Sequence, residues 1–177
     1  MTPAEFFASR DQMPERGQWS ELVDGQPQHF TAPDVEHGDV LGNLTARLTP
    51  LVAVGTPVFR VGLLTGRQTL RFPAVSFFAA AGRFDLMDAE SVEEPPAWVI
   101  EVASTPDRVR SVPERVAEYA DMGVALVWVI DPAAGSVHTV GGSGPRVVSG
   151  DERLSARPVA DLSVTPAQLC TQPAWSA

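Results

Sequence analysis

The sequence predicts an α/β domain with a mixed central sheet flanked by helices, and three observations carry that expectation. Residues 97–130 run through an apolar stretch, a helical stretch and a second apolar stretch, as a parallel strand pair joined by a right-handed crossover helix requires. Residues 33–54 place apolar side chains at helical spacing, so a long helix precedes the strand-rich part of the chain. The 177 residues are 44% hydrophobic and 20% charged, which fits one globular domain spanning 1–177.

Thr2 offers a cap, Pro3 the first helical position and Glu5 a first-turn acid, predicting a short helix over 1–9 that packs through Phe6 and Phe7. Ser20-Glu21-Leu22-Val23 leads into Asp24-Gly25, a two-residue hairpin turn, and Pro27 confines its return strand to a sheet edge. Val40, Leu41, Leu44, Leu48, Leu51 and Val52 form the apolar stripe of the long helix, which Gly55 ends. The runs 58–64 and 69–79 are rich in branched and aromatic residues and flank a turn at Gly66, so they read as two strands. Pro73 inside the second run marks an edge, a bulge or a strand start. Residues 82–96 are polar and acidic and end in Pro95-Pro96, predicting a long surface loop.

The run 97–103 is apolar on both faces except for Glu101, as expected of a central strand covered on both sides. Ser111-Val112-Pro113-Glu114 has capping-box spacing, and Val116, Tyr119 and Met122 continue a helix that stops at Gly123. Residues 124–130 form the next strand, closed by Asp131-Pro132. Residues 136–140 and 146–149 read as a terminal hairpin around Gly141-Gly142-Ser143-Gly144. Thr165-Pro166 starts a last short helix ending near Cys170, and the final residues are expected to fray.

All thirteen basic side chains are arginine, so every mechanism that needs an amine side chain is excluded: the phosphate-loop lysine, the Schiff-base lysine and the serine–lysine pair. A net charge of −9 and a pI of about 4.7 repel polyanions at long range, so any nucleic-acid contact must come from a local basic patch. One cysteine and three histidines supply neither a disulfide framework nor a zinc set. The first residues lack a basic start followed by an apolar core, and no apolar run spans a bilayer, so the expected location is cytoplasmic.

Glu101 needs explaining, because a charge inside a buried strand costs several kcal/mol unless it is paired or bound to a cation. It shares a strand face with Val99 and Ala103, small enough to leave room for a partner. Arg115, early in the following helix, can bring its guanidinium to that carboxylate, either as a packing pair or as part of a site.

Five stretches carry a family resemblance: Glu21-Leu22-Val23-Asp24-Gly25; Arg71-Phe72-Pro73-Ala74-Val75-Ser76; Trp98-Val99-Ile100-Glu101-Val102-Ala103-Ser104; Asp107-Arg108 through Glu114-Arg115-Val116-Ala117-Glu118-Tyr119 with Gly123-Val124; and Trp128-Val129-Ile130-Asp131-Pro132. In order and spacing, over about 19–140, they resemble the family of putative restriction endonucleases called Uma-two type, within the PD-(D/E)XK nuclease superfamily. The resemblance implies a restriction-endonuclease-like core, DNA as partner and Mg²⁺ as cofactor, held by an aspartate and a glutamate with a lysine nearby. The ion would lower the pKa of a bound water and offset charge on the phosphate. Carried over by position, the glutamate is Glu101 and the lysine is Arg115, four residues before Tyr119, while the aspartate position holds Ala74.

A methyl group cannot ligate a metal, and arginine stays protonated and cannot act as a base. Two readings follow. In one, the chain is a catalytically impaired nuclease that serves as a binding or assembly module. In the other, it is an active metal-dependent endonuclease in which Glu101 ligates the ion, Glu21 substitutes for the lost aspartate, and Arg115 stabilises the transition-state charge. Glu21 otherwise reads as a solvated residue beside a turn, and His37 as a surface or core-edge residue with site lining as its functional alternative. Arg60, Arg67 and Arg71 flank one hairpin and read as solvated strand edges or phosphate contacts. The acidic set Asp85, Asp88, Glu90, Glu93 and Glu94 lacks calcium-loop spacing. A symmetric homodimer is the expected assembly.

Overall fold

The computed structural model describes residues 1–141 and 144–173. In chain order the elements are α1 (Pro3–Ser9), β1 (Ser20–Val23), β2 (Gln26–His29), α2 (Val35–Leu48), β3 (Thr56–Phe59), β4 (Gly62–Gly66), β5 (Thr69–Arg71), β6 (Val75–Phe78), β7 (Ser91–Val92), β8 (Trp98–Val102), α3 (Pro106–Met122), β9 (Leu126–Asp131), β10 (Ser136–Gly141), β11 (Arg146–Ser149), β12 (Leu154–Ser155), β13 (Ser163–Val164) and α4 (Pro166–Cys170). A six-stranded sheet has the order β11-β10-β9-β8-β6-β3, a five-stranded sheet the order β2-β1-β5-β4-β7, and β12 pairs with β13. β8 and β9 are parallel, with Glu101 opposite Val129, whereas β6 and β10 run antiparallel to them. The mixed sheet is the one expected.

Local signals account for most of the elements. Thr2 and Thr165 each close a reciprocal capping box, with Glu5 and Gln168 respectively, satisfying donors that a helix start leaves free. Asp24 and Gly25 both take left-handed backbone, φ 47° and 76°, the geometry a tight two-residue hairpin needs, and β2 lies at the sheet edge. Gly123 ends α3 at φ 96°, a conformation in which a Cβ would be strained.

Four expectations change in detail. The stripe from Val40 to Val52 is one helix only as far as Leu48; residues Thr49–Ala53 form a 3-10 turn, because Pro50 supplies no amide hydrogen and its ring crowds the preceding turn. The runs 58–64 and 69–79 are not two strands but four. Arg60, at φ 54°, breaks the first into β3 and β4, and Phe72-Pro73-Ala74 breaks the second into β5 and β6. β3 pairs with β6 in one sheet and β4 with β5 in the other, so a bent hairpin joins the two sheets. Helix α3 starts at Pro106, not after Ser111: Thr105 takes the extended N-cap and Pro106 the first helical position. The loop 82–96 contains a 3-10 turn at Phe84–Leu86 and the short strand β7. The hairpin β10–β11 forms as expected; Gly142 and Ser143 of its turn, and the last four residues, lie outside the described residues.

Alternation along β8 divides the core. Trp98, Ile100 and Val102 pack with α2 and α4 through Val40, Leu44, Leu48 and Leu169. Val99 and Ala103 face the opposite way, into a cluster with Tyr119 of α3, Val127 and Val129 of β9 and Leu63 of β4. Glu101 therefore belongs to the face between the large sheet and α3. Among the described residues, no helix is long and apolar enough to cross a membrane.

Candidate functional site

Glu101 comes from the middle of β8, Glu21 from β1, Arg71 from the end of β5, and Arg115, Glu118 and Tyr119 from one face of α3. The bent hairpin carries Arg71 beneath α3, so elements distant in sequence meet at one buried point. Glu21 is 2% exposed, Glu101 6%, Arg115 2% and Arg71 0%. Arg71 is thus not the solvated strand-edge residue expected, and Glu21 is not solvated either. The burial of both was hidden because the pattern of one strand says nothing about a second sheet closing over it, but the structure does bring Glu21, the substitute ligand of the active reading, to the point that Glu101 reaches.

Arg115 bridges the two carboxylates. Its Nη1 donates to Glu101 Oε1 at 2.8 Å and its Nη2 to Glu21 Oε2 at 2.6 Å, while Nε donates to the Ser111 hydroxyl at 3.0 Å. The Tyr119 hydroxyl donates to the same Glu101 oxygen. Glu21 also accepts from Arg71 Nη1 at 3.3 Å and, on Oε1, from the Phe72 amide at 3.2 Å. Arg71 in turn holds Glu118 through two nitrogens and lies 3.3 Å from Glu114. The α3 side of this network sits at the helical spacing of Glu114, Arg115, Glu118 and Tyr119. That spacing, which puts Glu118 on the same helix face as Arg115 and Tyr119, is the sequence signal for Glu118.

The electrostatics follow from burial and pairing together. Burial pushes the Glu21 carboxyl up, but Arg115 and Arg71 outweigh it and hold the group below its usual value. Burial also opposes the charge on Arg115, yet Glu101 and Glu21 raise its pKa well above the ordinary one. Tyr119 is shifted well upward, first by burial and then by Glu101, so its proton stays in place as the donor. Beside the cluster, a cavity of about 10 Å³ is lined by Glu101, Val102, Ala103, Arg108, Val112 and Arg115, room for about one water.

Ala74 immediately precedes β6, whose register pairs Val75 with Ile100, so the next position along the ladder falls beside Glu101. The chain bends at Ala74, and its methyl belongs to the apolar cluster with Val75 and Ile100. No oxygen donor reaches Glu101 from that side chain. Among the described residues, no three His, Cys, Asp or Glu side chains group as a metal-ligand set.

His37 is 4% exposed, a buried residue rather than a surface one. Its Nδ1 meets the Ser104 hydroxyl at 3.0 Å and its ring lies edge-on to Trp19. Burial, with Arg108 and Arg60 nearby, takes its pKa down to about 4. Between that value and the ordinary value of about 6.5 the unfolded chain binds the extra proton, so acidification across this window lowers stability, by at most about 1.4 kcal/mol per pH unit. Urea unfolding from pH 7 to pH 5 should therefore show a falling midpoint, and His37→Gln should flatten that fall. Equal slopes in the two proteins would show that His37 does not carry it.

An α/β domain with a buried carboxylate–guanidinium cluster at the junction of its two sheets is what fold and geometry define. The chain belongs to the Uma2 family, described as putative restriction endonucleases, whose family model matches residues 5–167. A solved structure described as a putative nuclease belonging to DUF820 from Anabaena variabilis superposes with a TM-score of 0.74 at 19% identity, covering 96% of this chain and 97% of that one. At that identity the likeness speaks to the fold. Comparison with curated proteins finds no match.

Proposed function

We propose that this protein is a catalytically impaired nuclease-fold module that binds DNA without efficient cleavage, acting in binding or assembly as a homodimer. One observation carries the reading: the guanidinium of Arg115 lies between Glu21 and Glu101, the place between two carboxylates where a divalent cation would have to sit. A hard cation needs several oxygen ligands and keeps water for chemistry. Here Glu101 Oε1 and both Glu21 oxygens already accept hydrogen bonds from protein donors, Ala74 offers a methyl, and the adjoining cavity admits about one water. The donor set does not fit Mg²⁺, and no catalytic step is derived through it. A carboxylate pair already compensated by a fixed cation gives a second, mobile cation little electrostatic reward.

The second reading is the active endonuclease, and one observation favours it: Glu21 does reach the point that Glu101 reaches, as a substitute ligand would. An ion could then enter only by displacing Arg115. Supercoiled plasmid incubated with the protein and Mg²⁺ or Mn²⁺ separates the two. Retarded migration with the supercoiled form intact is the expected result. Nicking that disappears in Glu101→Gln would establish the enzyme instead, and unretarded plasmid would remove DNA as the partner.

A further inference from the structure

Next to the carboxylate cluster, but sharing none of its ion pairs, lies a group of cations that feel the field of Glu21 and Glu101 without forming a salt bridge to them. Arg60 and Arg108 place their guanidinium carbons 4.5 and 5.3 Å from the centre of the Trp19 ring, and Arg108 also lies 5.1 Å from that of Phe30. Arg108 is 5% exposed, yet its Nε and Nη2 have no hydrogen-bond partner among the described residues. The buried His37 ring edges the same tryptophan and leaves its Nε2 without a partner among the described residues. Arg60 has one anchor, a hydrogen bond from Nη2 to the Gln18 carbonyl at 2.5 Å. Neither arginine takes part in an ion pair among the described residues, whereas Arg71 and Arg115 do.

Such an arrangement is costly. Each buried donor left without an acceptor forfeits about 1–3 kcal/mol, and two guanidinium groups against one indole repel each other. Burial and mutual repulsion bring Arg60 down to about 10, and Arg108 is shifted the same way, chiefly by burial. Arg60 reaches the site from a left-handed backbone, φ 54°, the kind of strain that folds keep where a side chain must point in one direction. Contact with aromatic faces offsets part of the charge but supplies no acceptor in the plane of the Arg108 fork.

We propose that Arg60, Arg108 and His37, walled by Trp19 and Phe30, form a binding site for a single phosphate group. A tetrahedral oxyanion presents paired oxygens that match guanidinium forks, and it supplies in one step both the missing acceptors and a counter-charge in direct contact, where Glu21 and Glu101 act only through their field. His37 contributes as a neutral ring: with Nδ1 accepting from Ser104, Nε2 carries the hydrogen that a phosphate oxygen accepts. Trp19, Phe30 and Arg60 are only half-buried, so the ligand enters from their side as Arg60 swings on its single anchor. The site uses none of the carboxylates assigned above and stands whether or not the protein cleaves DNA.

The test is calorimetric titration of the whole protein with inorganic phosphate at constant ionic strength, chloride serving as the reference anion. A saturable heat with a Kd near or below about 1 mM is expected, weakened at least about tenfold in Arg108→Gln and in Arg60→Gln and unchanged in Arg67→Gln, whose side chain is exposed. Arg60→Gln alters a half-buried loop position and keeps the test valid if Arg108→Gln fails to fold. Oligonucleotides with and without a 5′-phosphate identify the source. Binding of both, with phosphate competing, assigns a backbone phosphodiester; binding of the phosphorylated one alone assigns a terminal phosphate; binding of neither assigns a free phosphate. No saturable heat up to about 10 mM phosphate, or the same affinity in a folded Arg60→Gln, overturns the proposal. Failure here would leave the outcome of a Mn²⁺ titration at Glu101 untouched.

Discussion

Arg115→Met should lower the stability of the folded protein by about 3–5 kcal/mol, the cost of leaving buried charges without their partner. The substitution preserves most of the side-chain volume and removes the one group that joins Glu101 and Glu21. Glu21 retains Arg71 and the Phe72 amide, so the larger part of the damage falls on Glu101, left with Tyr119. The sign of the pH dependence follows. In the parent, Glu21 is held below its ordinary value, so its contribution is full above the unfolded carboxylate range and is lost as pH falls through the folded value. In the variant, Glu21 keeps Arg71 but loses Arg115, the stronger of the two cations that hold it down, so the part of the stability that depends on its ionisation shrinks. The gap between parent and variant should therefore be fully present at pH 7 and narrow as pH falls below about 4. Chemical unfolding at about pH 7 and about pH 4 checks this, and a gap below about 1 kcal/mol at pH 7 would mean that the cluster behaves like an exposed ion pair.

Ala74→Asp combined with Arg115→Lys should convert the closed cluster into a metal site. Residue 74 lies opposite Glu101 along the ladder, so an aspartate there supplies an oxygen donor once its side chain turns from the apolar cluster of Val75 and Ile100 to the Glu101 face. Lysine, a point charge on a flexible stem, cannot bridge two carboxylates as a guanidinium fork does. Affinity for Mn²⁺ should improve from weaker than about 10 mM to stronger than about 1 mM, at least tenfold or about 1.4 kcal/mol, and plasmid nicking should appear where the parent has none. Because the Ala74 methyl lies in the apolar cluster with Val75 and Ile100, the single variant Ala74→Asp should lose stability. Circular dichroism of the double variant must show a folded protein before its metal binding is read. A folded double variant that neither binds Mn²⁺ nor nicks DNA would mean that Ala74 and Arg115 do not hold the positions assigned to them.

How far the sequence reaches depends on whether a feature is local. The apolar runs around Glu101 and Val129, with Gly123 between them, define β8, α3 and β9, because alternation and a left-handed cap act within a few residues. The Glu101–Arg115 contact was legible for the same reason: a helix that follows a strand and packs back on it brings its second or third turn over the strand centre. The place of Arg71 and the burial of Glu21 were not legible, although the family resemblance offered Glu21 as a partner for Glu101. Their burial depends on a hairpin bent at Arg60 and Pro73, which divides its halves between two sheets, and strand pattern alone cannot show a second sheet. The helix start was misplaced because Ser111-x-x-Glu114 fits a capping box while Thr105-Pro106 fits a helix start equally well. Inside the helix, Ser111 instead turns its hydroxyl to the Arg108 carbonyl and receives Arg115 Nε.

The central claim is that a protein cation already fills the space between Glu21 and Glu101. Calorimetric titration of the unaltered protein with Mn²⁺ tests it most directly. Heats no larger than dilution up to about 10 mM metal, the same in parent and Glu101→Gln, are the predicted result. A saturable heat that Glu101→Gln abolishes would mean that Arg115 gives way to the ion, and would restore the metal-dependent endonuclease.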